Sequence, residues 1–158
     1  MLPLLQKYKG VVLKVQEAED LALIRFDASE VIPVATFADS SMLKKGNIVL
    51  AIGSPYSLEY FGTATMGIVS HYNRLLEESK YLKKGNSYQK STSKVSNMYI
   101  QHDAAINSGN SGGGLFDING HLIGINTAKL VDSDSTIEGI AFSIPSNVVK
   151  NAFDTYLA

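Results

Sequence analysis

Seven short segments, at residues 10–15, 21–26, 48–52, 63–69, 98–101, 121–126 and 138–144, carry apolar residues in runs or in alternation with polar ones. Clusters of Gly, Asn, Asp and Ser separate them. Apolar segments of this length bounded by turn formers suit strands, and short connections suit antiparallel pairing rather than helical crossovers. Turn signals recur at Lys45-Gly46-Asn47, Gly53-Ser54-Pro55 and Asp117-Ile118-Asn119-Gly120, the last with an Asn-Gly pair that tolerates positive φ. One helix is expected. After Pro145, Ser146 can cap a segment in which Val149, Ala152, Phe153, Tyr156 and Leu157 recur at helical spacing. An all-β domain with a short C-terminal helix lying against a sheet is the expected fold class.

The same residues limit what the chain can bind. At 158 residues and 45% hydrophobic content it can bury one substantial core or two small ones, so a single globular unit is expected. A formal net charge of -1 gives no global pull on nucleic acid or on an anionic membrane, and neither is expected as a partner. Zero cysteines exclude disulfides, thiolate zinc sites and thiol catalysis, and leave the compartment open. No metal and no cofactor is expected. The opening stretch MLPLLQKYKG has too few apolar residues for a secretory leader and far fewer than the roughly 20 of a membrane span, so an untargeted, soluble chain is expected. Residues 79–102 hold five lysines, Lys80, Lys83, Lys84, Lys90 and Lys94, and no acid. They read either as a solvated surface or as a contact for an anionic or protein partner. Because residues 71–99 show no sustained period, a long loop of the kind that is usually functional or disordered is expected there.

The densest chemistry lies between Gln101 and Leu115, in Gln-His-Asp-Ala-Ala-Ile-Asn-Ser-Gly-Asn-Ser-Gly-Gly-Gly-Leu. A nucleophilic serine needs its hydroxyl presented outward and neighbouring amides turned to one point, where they bind the oxyanion of a tetrahedral intermediate. The glycines around Ser111 permit such a backbone: Gly109 and Ser111 would supply the amides and Asn110 the turn between them. Glycine, serine and asparagine together are also ordinary turn chemistry, and residue types alone leave both readings open.

The run resembles the nucleophile motif of chymotrypsin-fold peptidases. Its form, Asp103-Ala104-Ala105-Ile106-Asn107 and then Gly109-Asn110-Ser111-Gly112-Gly113, is similar to that of the HtrA/Deg family of serine endopeptidases. Further matches follow in the same order: Asp20-Leu21-Ala22-Leu23-Ile24, Ala51-Ile52-Gly53 with Pro55, Gly67-Ile68-Val69-Ser70, Gly120 with Ile123-Gly124-Ile125-Asn126-Thr127-Ala128, and Ala141-Phe142-Ser143-Ile144-Pro145-Ser146-Asn147. The resemblance spans residues 8–149. It implies a chymotrypsin-like double β-barrel, with closing strands of an incomplete first barrel in residues 1–36, a complete second barrel in 37–158, and no PDZ domain. It also implies an acyl-enzyme endopeptidase acting on unfolded or misfolded polypeptide. Ser111 matches the nucleophile, Asp20 the acid that orients the histidine, and Gly109, Asn110 and Ser111 the oxyanion loop. Without the resemblance, Asp20 reads as a turn carboxylate before a strand.

The histidine departs from the pattern. The family order places the base before Asp20, and residues 1–19 contain no histidine. His71, His102 and His121 all follow it, and each reads as a surface or half-buried residue; His102 stands where the family commonly has threonine, and its nearness to Ser111 in sequence leaves a substitute role as the lesser alternative. In a related triad enzyme, loss of the histidine costs roughly 10^6-fold in turnover, about 8 kcal/mol. The chain is therefore expected to be an inactive part of a peptidase, with exposed strand edges. The competing expectation is a pseudoprotease that binds unfolded polypeptide by strand addition.

By the same resemblance, Ala105 and Ile106, with Ile140, Ala141 and Phe142, form the substrate pocket. No acid or base is expected at its floor, so small or branched apolar side chains should be preferred. Lys129 reads as a solvent-pointing residue beside it. Asn110 stands where zymogens of the trypsin type carry an aspartate, which argues against activation by propeptide cleavage. Lys80, Lys83, Lys84 and Lys90 fall where the family has a regulatory sensor loop. A homo-oligomer is a possible assembly, and an extracytoplasmic location is implied for an intact family member.

Overall fold

The structure is a computed structural model. It describes the backbone of residues 7–84, 87–132 and 135–157, and the side chains of those residues apart from 77–96, 128–137, 155 and 157. Strands β1 (Gly10–Gln16) and β2 (Leu21–Phe26) form a two-stranded antiparallel sheet, with Gln16 opposite Leu21 and Gly10 opposite Phe26. Six further strands close into an antiparallel barrel in the order β3-β4-β5-β8-β7-β6: β3 (Ile48–Gly53), β4 (Thr63–Lys84), β5 (Ser87–His102), β6 (Gly114–Asp117), β7 (Leu122–Asp132) and β8 (Ser135–Pro145). Return pairing of β6 onto β3, Leu50 opposite Phe116, seals the wall and leaves the barrel without a free edge along its closed part. The Asn-Gly turn between β6 and β7 forms as expected. The Asp117 carboxylate accepts the amides of Asn119 and His121, and Gly120 takes a φ of 79°.

Alternation along the strands divides the apolar residues between two cores. Val49, Val69, Ile100, Leu115, Ile123 and Ala141 fill the barrel. On the outer face, Tyr99, Phe142 and Ile144 meet Val149, Ala152 and Phe153 of the C-terminal segment and Leu21 of β2. Each fully buried aliphatic side chain contributes about 1.5–3 kcal/mol. The second core docks the β1–β2 sheet on the barrel, helped by Lys14 Nζ, which donates to the Ala152 carbonyl at 2.9 Å, and Asn97 Nδ2, which donates to the Ala18 carbonyl at 2.7 Å.

Three expectations are corrected. Residues 71–99 are largely paired strand rather than a long loop: β4 and β5 continue together from Arg74 opposite Tyr99 to Lys84 opposite Ser87. Only Ile100, Gln101 and His102 of β5 also pair with β8. Between residues 71 and 99 the two strands pair with each other and with no third strand among the described residues, so no wider sheet imposes a register that the sequence would show. Strand β6 was not apparent from the pattern, because it is four residues long and opens on glycine. Helix α1 (Ser146–Ala152) has Pro145 at its N-cap and no side-chain cap; Ser146 is its first residue, and its hydroxyl donates instead to the Ala38 carbonyl at 2.8 Å. A second short turn, α2 (Asp154–Leu157), follows. Val149, Ala152 and Phe153 are buried as the helical spacing predicts, whereas Tyr156 is exposed.

Candidate active site

The segment from β5 to β6 turns sharply around Ser111. Gly109 and Gly112 adopt φ of 99° and 85°, where a side chain is strained, and a Cβ on Gly109 would run into the Ser54 carbonyl oxygen. The Asn110 amide donates to the Asn107 carbonyl at 3.0 Å and the Gly113 amide to the Asn110 carbonyl at 3.0 Å. Among the described residues, the amides of Gly109 and Ser111 have no acceptor. Two free donors flanking an exposed serine hydroxyl have the chemistry of an oxyanion site. Asn110 itself is buried beneath the turn, its Oδ1 packed on Gly53 and without a hydrogen-bond partner among the described residues.

The Ser111 hydroxyl donates to the Thr127 carbonyl at 2.5 Å, and the Thr127 hydroxyl lies 3.5 Å from the Asp20 carboxylate. Residues from the turn of the β1–β2 sheet and from the glycine-rich loop thus meet over β7. Asp20 occupies the left-handed region, φ 56°, a conformation that aspartate tolerates better than most residues. Sequence reasoning gave roles to Ser111 and Asp20 but none to Thr127, the residue that joins them.

No histidine reaches Ser111 among the described residues. His71 accepts the Asn73 amide at 3.3 Å and stacks on Tyr72. His121 bridges to Asp117 at 3.3 Å. His102 is fully buried, with Nε2 3.0 Å from the Ser143 hydroxyl rather than at Ser111. Burial pushes its pKa down to about 4, against smaller opposing pulls from the Asp103 carboxylate and the Ala104 backbone.

Ala105, Ile106, Ile140 and Ala141 do share one cavity, of about 200 Å³. Phe142 is not part of its lining: one step along β8 from Ala141, it faces the outer core and packs edge-on against Tyr99 at 6.1 Å. The cavity also carries two carboxylates that the sequence reading did not place there, Asp103 and Glu138. Asp103 is engaged, its Oδ1 accepting the Ile68 amide at 2.6 Å. A second hollow of about 390 Å³ runs beside Ser111, with Ile52, Phe61 and Phe116 as its apolar wall. Ile52 and Phe61 each precede a glycine, and Phe116 carried no such signal. A third cavity, about 560 Å³, lies between residues 38–48 and 117–123 and contains none of the candidate catalytic residues. Among the described residues no cluster of acids and histidines is arranged to hold a metal, and no helix is long and apolar enough to cross a membrane. The side chains of Lys80, Lys83, Lys84, Lys90, Lys94 and Lys129 lie outside the described residues.

Residues 2–125 match the model of the trypsin-like peptidase domain. The chain is 41% identical over 149 residues to the serine protease Do-like HtrA of Lactococcus lactis subsp. cremoris, covering 92% of this chain and 34% of that protein. It is 44% identical over 132 residues to the serine protease Do-like HtrA of Lactobacillus helveticus, covering 82% and 29%. To the serine protease Do-like HtrB of Bacillus subtilis it is 40% identical over 138 residues, covering 87% and 28%. The chain spans about a third of the length of these relatives.

Proposed function

From a chain that belongs to the HtrA family of trypsin-like peptidases, we propose the nucleophile and acid of an endopeptidase acting on unfolded polypeptide, lacking a general base within these 158 residues. The observation that carries this reading is the meeting of Ser111 and Asp20 across Thr127. In the proposed reaction Ser111 Oγ attacks the scissile carbonyl carbon, and the amides of Gly109 and Ser111, with Asn110 shaping the turn, bind the resulting oxyanion. The hydroxyl proton must pass to an imidazole, which returns it to the leaving amine as the acyl-enzyme forms. The Thr127 carbonyl that now receives this proton's hydrogen bond is no base. Asp20 would orient the imidazole. Ala105, Ile106, Ile140 and Ala141 would seat the side chain before the cut, and Glu138 at that cavity weakens the expected preference for purely apolar residues.

Residues 1–36 are, in this reading, the closing strands of a first barrel, and 37–158 the second. Casein cleavage tests the proposal. The chain alone is expected to show no cleavage beyond a Ser111→Ala control. The same chain, extended at its amino end by the histidine-bearing segment of a relative, should gain Ser111-dependent cleavage by a factor of roughly 10^6. A folded but inactive extended chain would overturn the assignment of the nucleophile.

The paired strands carrying Lys80, Lys83, Lys84 and Lys90 are assigned a regulatory or assembly role. Replacing residues 80–94 by a tight turn in the extended chain should change its rate or its oligomeric state; an unchanged protein on both counts would remove that role.

A further inference from the structure

Three polar side chains sit inside the barrel where strand alternation would place apolar ones: His102 on β5, Ser143 on β8 and Asn126 on β7, all fully buried or nearly so. An unpaired buried polar group costs about 1–3 kcal/mol, so such groups persist when they are bonded to one another. Here the bonds have a fixed direction. Asn126 Nδ2 donates to the Gly114 carbonyl at 3.1 Å, which orients the amide. Its Oδ1 therefore accepts, and takes the Ser143 hydroxyl at 2.9 Å. A hydroxyl has one proton, so toward His102 Nε2, 3.0 Å away, the Ser143 oxygen can only accept. His102 then donates from Nε2, and its buried Nδ1 makes no hydrogen bond within ordinary distance and angle limits among the described residues, the Ala104 backbone acting on the ring only as a weaker pull.

The chain of bonds ends on the loop after Ser111. Asn126 brackets it with its main chain: the Gly112 amide donates to the Asn126 carbonyl at 2.8 Å, and the Asn126 amide donates to the Gly113 carbonyl at 2.8 Å. The next residue, Thr127, receives the Ser111 hydroxyl. Hydrophobic filling of the same volume would pack the barrel but would not orient the Asn126 amide. We propose that His102 is a positioning residue, acting through Ser143 and Asn126 to hold residues 112–114 in register with β7 and so to set Ser111. The sense of this role rests on Ser111 being the nucleophile, but its test requires no turnover.

Nitrogen-15 spectra of the unmodified chain at pH 7 should show a neutral His102 protonated on Nε2; an Nδ1–H tautomer or an imidazolium would overturn the proposal. Ser143→Ala and His102→Leu should each speed amide exchange at Gly112 about tenfold, with the amides of β3 changed less than twofold. His102→Gln, which keeps a donor at similar reach, should bring Gly112 back to within about threefold of the unmodified chain. Unchanged exchange at Gly112 in both cut variants, or an equal rise at Gly112 and in β3, would reduce the network to core filling. Should the cut variants fail to fold, the tautomer measurement still decides. A chain that never cleaves casein can pass or fail every one of these measurements, so failure of the proposed function and of the positioning role are separable.

Discussion

The closed barrel and the β1–β2 sheet are made of similar strands, rich in Val, Ile and Leu, yet they end in opposite environments. In the barrel, Val49, Val69, Ile100 and Leu115 are all 0% exposed. In the two-stranded sheet, Val11, Val12, Val15 and Ile24 remain 53–57% exposed, and Leu21 is the one fully packed anchor of β2. Strand propensity is the same in both; the number of layers packed on each strand differs. The candidate active site draws on both regions. Ser111 comes from the closed barrel, Asp20 from the two-stranded arm packed on it.

The largest expected effect breaks the barrel half of the contrast. Leu115→Ala leaves a cavity in a core with no exposed edge to collapse into, and should lower unfolding free energy in urea by about 3–4 kcal/mol. A loss near zero would mean that the barrel is not the stable unit.

Acid should also act on the barrel rather than on the arm. The His102 imidazole titrates at 6.5 in the unfolded chain and at about 4 when folded, so between these values the unfolded state binds the extra proton. Stability should be fully present above pH 6.5 and fall as pH drops toward 4, by up to about 3 kcal/mol. Urea titrations of His102→Gln should lack that slope, and a slope retained in the variant would assign the acid sensitivity elsewhere.

The smallest effect belongs to the arm. Val12→Lys, on a face already in water, should change unfolding free energy by less than about 0.5 kcal/mol. A loss of 2 kcal/mol or more would show that this face is covered, and would erase the difference between the two regions.

Much of this architecture was legible in the residues. The turn signals and the seven apolar segments located all but one of the strands, and the glycines around Ser111 announced a backbone that only they adopt easily, as φ of 99° at Gly109 and 85° at Gly112 bears out. The association of Asp20 with Ser111 came from resemblance, since neither residue type nor spacing brings together positions so far apart in the chain. Phe142 was placed in the pocket with Ala141 by resemblance, and strand alternation sends the two to opposite faces. His102 was weighed as a substitute base, and the fold encloses it instead against Ser143.

By itself, then, the sequence determined the strand and turn alternation and the local geometry of the glycine-rich loop, because both follow from sterics within a few residues. Only the tertiary structure decided which strands are enclosed, which way Phe142 faces, and that His102 is neutral and bonded to Ser143. Burial, hydrogen-bond direction and proton affinity are set by groups that arrive from distant parts of the chain.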